Sequence, residues 1–109
     1  MTSGELAAVA HDLVGDAVDI TYSSSVGMIE VSAPGVTKGT GLADVARRIG
    51  VPADDVVAFG DMPNDVSMLR WAGLGVAMGN SHPETLAAAD EVTLSNAKDG
   101  VAVVLERWF

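Results

Sequence analysis

Apolar positions along the chain recur in two rhythms. Leu6, Val9, Ala10 and Leu13 fall at i, i+3, i+4 and i+7, the spacing of one helical stripe. They predict a helix over residues 4 to 14, stopped by Gly15. Val18-Asp19-Ile20-Thr21-Tyr22 alternates apolar and polar residues and reads as a strand, and Met28-Ile29-Glu30-Val31 as a second. The serines 23 to 25 form a polar turn between them. Ala33-Pro34-Gly35 then breaks the pattern. Proline has a fixed φ and no amide proton, so a central strand does not run through it, and a boundary is expected there.

Beyond Gly35 the pattern changes. Leu42, Val45, Ala46 and Ile49 share a stripe that predicts a helix over 40 to 49. Val56-Val57-Ala58-Phe59 is a short continuous apolar run, as in a strand buried on both faces. Helices are expected over 64 to 72, 83 to 89 and 98 to 108, with strands at 75 to 78 and 92 to 94. In the last helix Val101, Val104, Leu105 and Trp108 form the stripe, and Trp108 reads as core. Short apolar strands alternating with helices predict an α/β fold with a parallel sheet flanked by helices. Residues 1 to 34, read as α-β-β, stand apart from residues 35 to 109.

Composition narrows the function classes. The 109 residues carry 15 Asp and Glu against 6 Lys and Arg, a formal charge of −9, and 49% are apolar. A disordered tail has fewer apolar residues. A nucleic-acid partner is not expected, because phosphate backbones repel such a chain and only Arg47 and Arg48 stand side by side as basic residues. Apolar runs of five residues fall short of the roughly 20 that span a bilayer, so no membrane partner is expected. The start of the chain does not read as a secretory leader. With no cysteine, disulfides and thiolate metal sites are excluded and a cytoplasmic location is expected.

The candidate chemistry lies in Phe59-Gly60-Asp61-Met62-Pro63-Asn64-Asp65, where the 56–59 strand ends and a helix begins. Ligands of parallel α/β sheets gather at the carboxyl ends of strands. Asp61 projects from the strand end, and Asn64 and Asp65 fall in the first helical turn. Two carboxylates and a carboxamide within five residues suit a hard cation such as Mg²⁺. Helix capping explains Asn64 and Asp65 equally well; Asp61, which capping does not require, tips the balance towards a metal site. Lys38, in the glycine-flanked turn Val36-Thr37-Lys38-Gly39-Thr40-Gly41, is a candidate anion ligand, although alone it reads as a solvated loop lysine. Asn80 lies past the 75–78 strand, within reach of a bound anion, but Asn80 or Ser81 reads more simply as a helix cap. His82 has no ligand partner at useful spacing and reads as surface or cap.

Taken in order, Val36–Leu42, Gly60–Leu69, Gly75–Asn80 and Asn96–Val101 resemble the C-terminal part of haloacid dehalogenase-like (HAD) hydrolases, above all the Cof-type phosphatases acting on sugar phosphates and phosphoglycolate. P-type ATPases share the GDxxND pattern but are membrane pumps. The resemblance implies a Rossmann-like core over residues 35 to 109, preceded by the tail of an α/β cap. It implies that Lys38 steadies the phosphate and the nucleophile, Asp61 ligates Mg²⁺, Asp65 supports the metal shell, and Asn64 orients groups near the phosphate. It also implies a small phosphorylated metabolite as substrate and an aspartyl-phosphate intermediate. The family's nucleophile motif, D-x-D-G-[TS], does not occur. The isolated chain is therefore expected to be inactive and to associate with a missing N-terminal half or with a second copy. The competing expectation is a non-catalytic module that binds anions or self-associates, as an open sheet edge invites.

Overall fold

The computed structural model describes all 109 residues. Its helices are α1 (Ser3–Val14), α2 (Lys38–Ile49), α3 (Val66–Trp71), α4 (Pro83–Ala88) and α5 (Gly100–Leu105). Its strands are β1 (Asp19–Thr21), β2 (Glu30–Ser32), β3 (Val57–Gly60), β4 (Leu74–Ala77) and β5 (Glu91–Val92). The strands form two separate sheets. β1 and β2 pair antiparallel, with Thr21 opposite Glu30. The others form a parallel sheet in the order β3-β4-β5, with Gly60 opposite Ala77 and Val76 opposite Glu91.

The mixed α/β architecture with a helix-flanked parallel sheet is the one that the alternating pattern implies. Along β3, Ala58 and Gly60 are buried while Val57 and Phe59 are half-buried. Ala58 packs with Leu69 and Ala72, and Leu42, Val56, Met68, Trp71 and Ala89 surround that nucleus. Leu69, 1% exposed, contributes on the order of 1.5–3 kcal/mol by burial.

Several expectations need correction. α2 begins at Lys38, so this lysine opens a helix and does not sit in a turn. Thr37 is the cap: its hydroxyl accepts from the Thr40 amide at 3.1 Å, while Thr40 Oγ1 accepts from the Thr37 amide at 2.9 Å. This reciprocal pair fixes the first turn and overrides the two glycines. Asn64 and Asp65 belong to a tight 3-10 turn, Pro63–Asp65, that precedes α3. The last helix starts only at Gly100 because Asp99 adopts a left-handed conformation (φ 57°) between the turn Asn96–Lys98 and α5, and it ends at Leu105. Trp108 is 53% exposed and not core. Val9, Leu13, Val45 and Ile49 are likewise exposed on the stripes read as buried. Helical spacing shows which face is apolar and says nothing of what covers it.

Candidate active site

The carboxyl end of β3 carries Asp61, and the next residues fold back on it. Gly60 is required there, because a Cβ would lie 2.5 Å from the Asp65 Cβ. That close approach brings the Asp65 carboxylate under the strand tip. Its Oδ2 accepts from the amides of Asp61 at 2.9 Å and Met62 at 3.3 Å. Its Oδ1 accepts from Lys38 Nζ at 2.7 Å.

Lys38 is carried to this point by α2. The Gly39 amide donates to Ser67 Oγ at 2.9 Å, and a Cβ on Gly39 would lie 2.7 Å from the Ser67 carbonyl carbon. The first turn of α2 therefore rests directly on α3. The Asp65 side chain is 8% exposed and that of Lys38 50%, so one partner is fixed in the protein and the other reaches solvent. Burial pushes the Asp65 carboxyl up. The Lys38 hydrogen bond, the Asp61 and Met62 amides and the lysine charge outweigh it and hold the carboxyl below its ordinary 3.8.

Both oxygens of Asp65 are thereby engaged. Asp61 differs: its half-buried carboxylate makes no hydrogen bond or ion pair, while its backbone carbonyl accepts from the His82 amide at 2.8 Å. Asp61, Asp65 and Lys38 line one cavity of about 450 Å³, together with Phe59, Met78 and Asn96. No group of three or more His, Cys, Asp or Glu side chains gathers as a closed cation cage.

Asn64 is also brought here. Its amide donates to Tyr22 O at 3.2 Å and its Nδ2 to Glu30 Oε2 at 3.4 Å, which ties the strand tip to the β1–β2 ribbon. Its Oδ1 is buried and has no donor. Asn80 is not brought in. It is exposed, lines neither this cavity nor the one beside the ribbon, and its Oδ1 accepts from the Asn96 amide at 3.0 Å. Nor does it or Ser81 cap α4; His82 does, its Nδ1 accepting from the Glu84 amide at 3.1 Å. His82 also meets Tyr22 edge to face, with its Nε2 3.4 Å from the Tyr22 hydroxyl. Sequence reading missed Glu30, Tyr22 and Ser67 as partners of the site. Each acts across a long sequence separation, and the alternation that marks strands carries no such signal.

Residues 3–105 match the family of haloacid dehalogenase-like hydrolases. Among curated proteins, the chain is 43% identical over 91 residues to the 5-amino-6-(5-phospho-D-ribitylamino)uracil phosphatase YcsE of Bacillus subtilis, covering 84% of this chain and 36% of that protein. It is 40% identical to a phosphoglycolate phosphatase of Methanoculleus marisnigri, covering 74% and 35% of the respective chains. Among solved structures, a haloacid dehalogenase-like hydrolase from B. subtilis superposes with a TM-score of 0.86 at 32% identity, covering 96% of this chain and 37% of that one. The chain thus spans about a third of the length of the proteins it matches. In fold and in sequence, the chain belongs to the haloacid dehalogenase-like hydrolases.

Proposed function

We propose that these residues form the metal- and phosphate-positioning part of a Mg²⁺-dependent phosphatase acting on small phosphomonoesters. The observation that carries this reading is the Lys38–Asp65 ion pair beside the unpartnered Asp61 carboxylate, at the tip of a parallel strand. The phosphatase names of the relatives support it.

The charges make the site a cation site first. Lys38 contributes one positive charge, and Asp61 and Asp65 two negative, so the cluster is net −1 and repels a phosphate. A divalent cation reverses that sign. The donor set fits Mg²⁺, which takes one or two carboxylates and fills its shell with water and substrate oxygens. Asp61 would hold it, and bound there it would supply charge neutralisation for the phosphoryl group.

The chain's own residues then have distinct tasks. Asp65 holds the 61–62 backbone and aims Lys38. Lys38 Nζ, half exposed, offers its remaining N–H groups to a phosphate oxygen. Asn64 orients groups beside it. The resemblance to the Cof-type enzymes extends this to a two-step reaction. An aspartate oxygen attacks phosphorus, the P–O ester bond breaks, and the departing oxygen takes a proton. Water then cleaves the aspartyl-phosphate. We assign the aspartates of that step to a segment outside these 109 residues, whether elsewhere in the same polypeptide or in an associating one.

Isothermal titration tests the metal assignment. Mg²⁺ binds the wild-type chain, and inorganic phosphate binds only when Mg²⁺ is present. Asp61→Asn removes the carboxylate charge and weakens Mg²⁺ by at least about tenfold. Unchanged Mg²⁺ affinity in Asp61→Asn overturns the assignment.

A further inference from the structure

No hydrogen bond or ion pair holds the Asp61 carboxylate. Its aim is therefore set by the backbone, which is gripped on both sides. The Asp61 amide donates to Asp65 Oδ2 at 2.9 Å. The Asp61 carbonyl accepts from the His82 amide at 2.8 Å. The first grip belongs to the Lys38–Asp65 pair. The second comes from the turn between β4 and α4, and it is only as firm as the placement of His82.

His82 is held at both ring nitrogens. Nδ1 accepts from the Glu84 amide at 3.1 Å and so caps α4. A nitrogen that accepts carries no proton, so in the neutral ring the proton sits on Nε2. Nε2 lies 3.4 Å from the Tyr22 hydroxyl, which accepts from it in a long hydrogen bond. The two rings meet edge to face with centroids 5.7 Å apart, a favourable arrangement for aromatic pairs. Tyr22 follows β1 directly, and its carbonyl accepts from the Asn64 amide at 3.2 Å. One residue of the ribbon thus holds both flanks of the Asp61 loop, Asn64 through its backbone and His82 through its side chain. Neither Tyr22 nor His82 lines the two cavities that Lys38 lines, so both act on the site from behind its walls.

We propose that Tyr22 and His82 are positioning residues for the metal. Through the Tyr22 hydroxyl and the His82 ring, the ribbon fixes the peptide that aims the Asp61 carboxylate. Mg²⁺ demands near-octahedral geometry, so a ligand that swings on a loosened peptide binds it less well. The proposal rests on the reading that Asp61 holds Mg²⁺. It adds that the ribbon, which supplies no metal ligand, sets the geometry of the one that does.

Two substitutions separate this from a merely structural role. Tyr22→Phe removes the hydroxyl and keeps the ring that faces His82. His82→Asn keeps a side-chain oxygen that caps α4 and removes the contact with Tyr22. Mg²⁺ is titrated calorimetrically into each folded chain at about pH 8, where an ordinary imidazole is neutral. His82→Asn weakens Mg²⁺ by about tenfold, the low end for partners behind a metal ligand, and Tyr22→Phe weakens it several-fold. The double variant is no weaker than His82→Asn, because both substitutions break the same link. The chain has one tyrosine and two histidines, so the ¹⁵N signals of the His82 ring are readily assigned. They show the proton on Nε2, and Tyr22→Phe shifts that nitrogen and the His82 amide. Lowered unfolding midpoints with unchanged Mg²⁺ affinity, additive losses, or a proton on Nδ1 overturn the proposal and leave the Asp61 assignment standing. If the wild-type chain binds no Mg²⁺, or Asp61→Asn binds it equally well, the metal reading itself fails and takes this inference with it.

Discussion

Lys38 opens α2, where the helix presents its unsatisfied amides and the positive end of its dipole. A cation is locally unfavourable there, and the Asp65 carboxylate compensates it. Asp65 in turn is nearly buried and needs its three donors. Asp65→Asn keeps the size of the side chain but turns one acceptor into a donor facing donors. Near neutral pH it costs about 1–3 kcal/mol, read from urea unfolding. Folding lowers the pKa of Asp65, so its contribution is complete above the ordinary 3.8 and is lost as pH falls through the depressed folded value. The stability gap between wild type and Asp65→Asn accordingly narrows below about pH 4. A gap that stays constant down to pH 2 contradicts the ion-pair account. The cluster 61–65 was legible in the sequence because its members lie within five residues at a strand end. Glu30 was not, because it meets Asn64 across 34 positions, and no local pattern encodes that meeting.

Among the elements, the junction of α2 and α3 decides where Lys38 stands. Two glycines of α2 make it testable. A Cβ at Gly39 would press on the Ser67 backbone at 2.7 Å, whereas a Cβ at Gly41 meets nothing within 4 Å. Gly39→Ala therefore costs about 1–3 kcal/mol by overpacking and moves Lys38 off Asp65, weakening Mg²⁺-dependent phosphate binding. Gly41→Ala stabilises by roughly 0.5–1 kcal/mol, since alanine is the better helix former, and leaves binding alone. Thermal unfolding of the two variants separates these effects; a shift of the same sign in both removes the contact argument. Helix and strand order was legible from periodicity, and the ends were not. The Thr37–Thr40 cap extends α2 back over Lys38 and Gly39, which read as turn, and Asp99 cuts α5 from a run that looked continuous. In both cases one residue's backbone or hydroxyl chemistry outweighed the apolar spacing.

The whole molecule is a thin slab of 47 × 33 × 17 Å with a radius of gyration of 14.9 Å, against about 13 Å for a compact domain of this length. Packed layers lie about 10 Å apart, so the short axis holds little more than a sheet and one layer of helices. Only 17 of 109 residues are buried, which explains why stripes that read as core are bare. The face of α2 exposes Val45 and Ile49, and the C-terminal end exposes Val101, Val103, Trp108 and Phe109. β3 ends the parallel sheet with one edge unpaired. Exposed apolar patches and free strand edges favour association, opposed here by a charge of −9 that salt screens. Sedimentation velocity at rising concentration should therefore show self-association that strengthens with added salt. Val45→Lys with Ile49→Lys should reduce it and leave the circular dichroism of the fold unchanged. The salt dependence is the sharper arm, because salt bridges between copies would weaken on screening, whereas apolar contact between like-charged slabs gains from it. A chain that stays monomeric at high salt shows that these bare stripes are too scattered to form a cohesive surface.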